Sequence, residues 1–179
     1  TQMTPNEQLQ AIYERCHELY PEEERIYNKI MGQLAECGIR QLQPEDLSPE
    51  QAEYLRKHLK ERVVPYLSPQ IINSRHPFPH LENGALYVLA RLVSDEEGGT
   101  KSKTTESKGK KKGKNIGADD ATFGLIPLPH QAKRVIKLPG EGTQYILLEH
   151  AIKTIVDEVF SMYTTKRASV ICVTRNADI

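Results

Sequence analysis

One helix-start signal, written twice, constrains this chain more than any other feature. Thr4-Pro5-Asn6-Glu7 and Ser48-Pro49-Glu50-Gln51 are both capping boxes with proline at the first helical position. There the absent proline N–H has no partner to lose, and the two polar side chains satisfy each other's backbone donors. Residues 1–64 therefore read as helical. After the first box, Leu9, Ile12, Tyr13, Cys16, Leu19, Tyr20, Ile26, Ile30, Leu34 and Cys37 recur in steps of three and four, which makes one apolar stripe. Pro21 interrupts it at a cost of ~3 kcal/mol, so a kink or two helices is expected there. Gly38 reads as the stop, with Ile39 closing back onto Leu34 in a Schellman motif. The second helix points Ala52, Leu55, Leu59 and Val63 inward and carries mixed charge outside. An antiparallel helical hairpin follows.

Four prolines (Pro65, Pro69, Pro77, Pro79) then forbid a continuous helix over residues 65–83, which reads as an extended connector and a domain boundary. Residues 84–179 alternate as strands do: 85–93, 123–128, 134–138, 145–148 and 168–174, with Pro139-Gly140-Glu141-Gly142 as a turn. Between them Glu149 to Phe160 has Ala151, Ile152, Ile155, Val156 and Val159 on one helical face. The expected class is α+β: an N-terminal antiparallel helical hairpin (1–64), the proline-rich connector (65–83), and a mostly antiparallel sheet with one covering helix (84–179).

Residues 95–121 stand apart. They hold seven lysines within the fourteen residues from Lys101 to Lys114, and Ile116 is their one large apolar residue. Such a stretch cannot bury enough surface to offset its ordering entropy, so a disordered hairpin-tip loop is expected. Lysine and arginine total 24 against 24 acidic residues, and that balance excludes a whole-chain polycation. No run of ~18 apolar residues suggests a membrane-spanning helix. Three widely spaced cysteines (Cys16, Cys37, Cys172) fit a reducing cytoplasm better than a disulfide scaffold. A start at Thr1 and a stop just past the last strand suggest a piece of a longer chain.

Most recognisable chemistry is missing. Gly109 to Asn115 is one residue short of a phosphate loop, lacks the hydroxyl after the lysine and precedes no helix. His76 and His80 are spaced as metal ligands on a helix would be, but Pro77 and Pro79 hold them extended, roughly 13 Å apart at ~3.3 Å per residue. A metal-dependent hydrolase built on this pair is the weakest reading. His17, His58, His130 and His150 have no partner at a recognisable spacing. Cys16 and Cys37 read as core residues of the stripe, and Cys172 as packed on a strand. The residues suggest no catalytic, cofactor-binding or metal-binding site. They leave one candidate contact: Lys108, Lys110, Lys111, Lys112 and Lys114 suit a polyanion, polyphosphate or nucleic acid, by counterion release. With no aromatic interleaved, base stacking is not supplied.

The order of segments carries a resemblance. A capped helix leads to Gly38-Ile39-Arg40, a second capped helix leads to Val64-Pro65-Tyr66-Leu67-Ser68-Pro69, and Asn73-Ser74-Arg75-His76-Pro77-Phe78-Pro79 follows. Val173-Thr174-Arg175-Asn176-Ala177-Asp178 closes the chain. This series resembles the long bacterial type of polyphosphate kinase over all but residues 95–121, matching the end of the N-terminal helical domain and the first part of the head domain. The family more often has an aromatic residue at the place of His80 and Asp at that of Asn176. The resemblance implies an enzyme that moves the terminal phosphate of ATP onto polyphosphate, reversibly and with magnesium, through a phosphorylated histidine on domains beyond Ile179. None of the six histidines here matches that nucleophile. The resemblance also implies ATP, ADP and polyphosphate as partners of the parent, no DNA or RNA, and a homo-oligomer formed through the head domain. A stand-alone polyanion-binding module using the lysine loop is the alternative.

Overall fold

A computed structural model describes residues 3–76, 78–94 and 121–174. Both capping boxes form. Thr4 and Glu7 exchange bonds at the start of helix α1 (Pro5–Glu36), and Ser48 and Gln51 do so at the start of α2 (Pro49–Arg62). Gly38 stops α1 at a φ of 77°, and its N–H donates to the Ala35 carbonyl at 3.0 Å. Residues 39–41 then form strand β1 (Ile39–Gln41).

α1 departs from expectation in two ways. It runs through Pro21 as one helix of 32 residues rather than as two. Ion pairs Arg15–Glu18 and Glu22–Arg25 bracket the proline, and water can reach the carbonyl that Pro21 leaves without a donor. It also buries no residue, so no packed hairpin with α2 exists. Ile12-Tyr13, Leu19-Tyr20 and Ile26-Tyr27 repeat at an interval of seven residues, and all six are exposed. Cys37 is exposed and Cys16 half-buried, so neither is the core residue that the stripe suggests.

α2 packs on the sheets instead. Leu55, Leu59 and Val63 are buried, while Ala52 is exposed because Gln51 takes the inward position one residue earlier. A 3-10 turn at residues 64–66 leads to β2 (Gln70–Ile72), a strand set among the prolines that the connector reading leaves out. β3 (Leu86–Ser94) and β4 (Thr122–Pro127) pair antiparallel with Leu92 opposite Thr122, and residues 95–120 join their adjacent ends. β5 (Val135–Leu138) and β6 (Thr143–Leu147) form the expected hairpin across residues 139–142.

The covering helix is two short ones, α3 (Leu148–Lys153) and α4 (Val156–Val159). Thr154 breaks it: its hydroxyl donates to the Ala151 carbonyl at 2.7 Å, and Ile155 N–H tightens onto the Ile152 carbonyl at 3.1 Å. β7 (Tyr163–Cys172) closes the fold and starts five residues earlier than its apolar run, because polar Thr164 to Arg167 continue the pairing with β3 across a bulge. Cys172 lies exposed at the end of this edge strand.

The α+β class therefore holds, with two sheets. Antiparallel β2-β4-β3-β7 forms one, and β1-β6-β5 forms the other, in which β1 runs parallel to β6. Successive residues of β3 face two different cores. Val88, Ala90 and Leu92 meet α2, α3 and β5, whereas Tyr87 packs with Ile72, Leu81 and Leu125 on the opposite side. Burying leucines such as Leu55 and Leu59 stabilises the fold by ~1.5–3 kcal/mol each. No helix among the described residues is long and apolar enough to cross a membrane.

Candidate functional site

Two hollows lie on either side of the segment that joins β4 to β5. The first has a volume of about 600 Å³ and lies under β2, β3 and the loop at residues 79–85, with Tyr66, His80, Glu82, Tyr87, His130 and Arg134 among its lining. The second, about 560 Å³, lies between α2 and β5. Tyr66, Gln131 and Ala132 line both, so they form the ridge between them.

That ridge is pinned from below. Arg134 forks onto Glu149 with its Nε 3.1 Å and a terminal nitrogen 2.6 Å from the same carboxylate oxygen. Glu149 is buried, while the guanidinium side chain remains 61% exposed. Burial alone pushes the Glu149 carboxyl up, but the Arg134 hydrogen bonds, with its positive charge, hold it below the usual carboxylate value. The Arg134 N–H groups thereby stay committed, and the Leu148 N–H donates to the Arg134 carbonyl at 2.7 Å. The pair works as a clamp between the ridge and the start of α3.

Gln51, which lines neither hollow, reaches from its capping box to the β5–β6 turn. Its amide donates to the Pro139 carbonyl at 2.8 Å and to the Gln144 side-chain oxygen at 2.6 Å. The second hollow itself is lined by α2, Tyr66 and residues 131–133 and 135–137. The floor is Val63 and Ile136, both buried; Tyr54, His58 and Tyr66 form the walls; Arg62, Lys133, Lys137 and Glu61 stand around the rim. Tyr54 and His58 stack with ring centres 6.2 Å apart. Burial, helped by Arg62, keeps the His58 imidazole below its usual value, hence neutral near pH 7.

The histidines are dispersed. His76 is held in a turn by Asn73, whose side-chain oxygen accepts from the His76 N–H at 3.0 Å and lies 3.1 Å from its Nδ1. His80 lines the first hollow; His130 stands 4.0 Å from Glu82 at the same hollow, with both side chains largely in solvent. His17 Nδ1 rests on the Tyr13 carbonyl of its own helix at 2.7 Å. His150 has a buried Nδ1 with no hydrogen-bond partner among the described residues, and burial lowers its pKa. Among the described residues, no three His, Cys, Asp or Glu side chains come together as a metal ion would require. Lys108, Lys110, Lys111, Lys112 and Lys114 lie outside the described residues, as do Pro77 and Arg175 to Ile179. The second hollow escapes sequence reading because Arg62 and Lys137 look like ordinary charges on their own elements.

Comparison with known proteins gives this scaffold its class. The family model described as polyphosphate kinase middle domain matches residues 50–179. The chain belongs to the polyphosphate kinase family. It is 31% identical to a polyphosphate kinase of Halalkalibacterium halodurans and 32% identical to one of Bacillus cereus, over 99% of its own length in each case. It spans 23% of the length of those relatives. The crystal structure of polyphosphate kinase from Porphyromonas gingivalis superposes with a TM-score of 0.71 at 27% identity, covering 96% of this chain and 24% of that one.

Proposed function

We propose that this chain is a supporting portion of an enzyme that reversibly transfers the terminal phosphate of ATP to polyphosphate, with magnesium, in the cytoplasm. The family match over residues 50–179, at about a quarter of the relatives' length, carries the reading. Phosphoryl transfer needs a nucleophile, positioned cations and a metal-holding carboxylate set in one closed pocket. The buried groups described here serve another purpose: Glu149 clamps the ridge, and Gln51 ties α2 to the β5–β6 turn. In this reading the chain shapes and holds, and makes homo-oligomer contacts through its sheet portion, while the phosphorylated histidine belongs to other domains of the parent.

The test incubates the 179-residue chain with ATP, magnesium and polyphosphate. No ADP release coupled to chain growth is expected, and growth above background contradicts the reading. Sedimentation at micromolar concentration tests the oligomer contacts. A dimer is expected, and a monomer at all concentrations removes that part of the proposal.

A further inference from the structure

We propose that the outer face of the β2-β4-β3-β7 sheet, opposite α2 and α3, is the docking surface for an acidic amphipathic helix from another part of the same enzyme polypeptide. Its carboxylates sit on Arg91 and Arg167, and its apolar side chains fill the groove beside Phe123. The proposal rests on the reading that this chain is a portion of a longer enzyme; the pattern on the sheet stands without it.

Register is the first argument. Arg91 of β3 stands directly opposite Arg167 of β7 on one side and Phe123 of β4 on the other, and Phe123 stands opposite Ile72 of β2. Residues directly opposite in antiparallel strands share a face. One row across the sheet therefore reads Ile72, Phe123, Arg91, Arg167, apolar at one end and cationic at the other. Like charges directly opposite, with Cβ atoms ~4.5–5.5 Å apart, destabilise a sheet. Both arginines are exposed, and among the described residues the ion pairs engage other side chains. The next pair on that face, Leu89 opposite Ser169, carries no charge. A charge on an edge strand such as β7 discourages pairing with other chains, but that purpose does not call for a second arginine on β3, an interior strand. Two guanidinium groups side by side without a counter-charge suit carboxylates, which each can hold bidentately, and a bound acid relieves their repulsion.

Layering is the second argument. A sheet buries an apolar face against a further layer. The inner face has one, in α2 and α3. On the outer face Leu81 covers Ile72, Tyr87 and Leu125, while Leu89, Phe123, Ile171 and Val173 stay only partly buried. A groove of about 400 Å³ remains there, with Ile72, Phe78, Leu89 and Phe123 among its lining, and Phe78 is 60% exposed. The row of four strands spans roughly 14 Å at ~4.8 Å between neighbours, and a helix with its side chains is ~10–12 Å wide. One helix laid over Leu89 reaches the groove with its apolar stripe and the two arginines with an acidic flank. The same face of a second copy would set arginine against arginine, so homo-oligomer contacts use another surface. The relatives have the polypeptide to supply such a helix, since this chain spans 23% of their length.

The experiment compares hydroxyl-radical labelling of the 179-residue chain and of the whole enzyme over about a hundredfold range of concentration. Phe78, Leu89 and Phe123 should label readily in the short chain and at least fivefold more slowly in the whole enzyme at every concentration. Equal labelling in the two overturns the proposal, and so does protection that grows with concentration, as a second copy or a separate partner would produce. In the whole enzyme, Arg91→Glu with Arg167→Glu should restore most of the labelling at Phe78 and Phe123, whereas Arg91→Lys with Arg167→Lys should keep them protected. Unchanged protection in the Glu variant overturns the acidic occupant. A peptide titration of the unsubstituted 179-residue chain checks the charge preference without any variant. A helical peptide with leucines at i, i+3, i+4 and i+7 and glutamates on its flanks should bind saturably and shift the amides of Arg91, Phe123 and Arg167. The same peptide with lysine for glutamate should bind at least tenfold more weakly, and equal binding of the two overturns the proposal. Chain growth catalysed by the 179-residue chain would strike the family-level reading and leave the peptide titration unaffected, so the two can fail separately.

Discussion

Arg134 and Gly142 show how much single residues decide here. The Glu149 carboxyl is depressed in the folded state, so the pair contributes stability above the unfolded value of ~4.3 and loses it as pH falls through the folded value. Arg134→Ala leaves a buried carboxylate, whose burial then raises its pKa, and the sign reverses. Stability should fall as pH rises through that raised value. The expected cost near pH 7 is about 2 kcal/mol, below that of a fully buried pair because the guanidinium faces solvent. Urea unfolding at pH 4 and pH 7 checks this, and an equal cost at both contradicts the clamp. Gly142 has a φ of 71°, and a Cβ there would stand 2.5 Å from the Gly38 carbonyl oxygen, which accepts the Thr143 N–H at 2.8 Å. Gly142→Ala should cost at least ~1–2 kcal/mol of backbone strain and loosen β1 from β6. Faster amide exchange at Thr143 would report it; unchanged exchange would refute it. The need for glycine at 142 was legible as a turn, but its facing partner Gly38, about a hundred residues away in sequence, was not.

At the scale of elements, local signals read well and non-local ones do not. Both capping boxes, the inward leucines of α2 and the β5–β6 turn follow from spacing of a few residues, and all formed. β1 and β2 are three residues each and owe their existence to partners, Tyr145 and its neighbours for β1 and Phe123 to Leu125 for β2. No three-residue window can announce that. Pro21 misleads for the opposite reason: its intrinsic penalty is real, yet an exposed helix can leave one carbonyl to water. Pro21→Ala should restore a donor to the His17 carbonyl and slow amide exchange over residues 17–25 several-fold. Unchanged exchange there would mean that the proline costs α1 nothing. The bare stripe of α1 also belongs to this scale. Leu9, Ile12, Leu19, Ile26 and Ile30 are about half exposed, an apolar face larger than scattered surface residues produce. Replacing Ile12, Leu19 and Ile26 by Gln should raise the concentration at which the chain remains monodisperse in light scattering; no change would show that the stripe does not drive association.

Across the whole molecule, the candidate site was the least legible part. Arg62 and Lys137 are 75 positions apart, and nothing in either neighbourhood marks it as a rim. What brings them together is the burial of Leu55, Leu59 and Val63 against the same core as Ile136 and Leu138. The resemblance, by contrast, was legible because it rests on the order of short motifs, and the match over residues 50–179 agrees with it. The central claim is that this portion shapes an enzyme without carrying its phosphoryl-transfer group. The most direct measurement exposes the 179-residue chain to ATP labelled on its terminal phosphate, with magnesium, and counts acid-labile label retained on protein. The account predicts none above background on any of the six histidines. Stoichiometric label on one of them would contradict it.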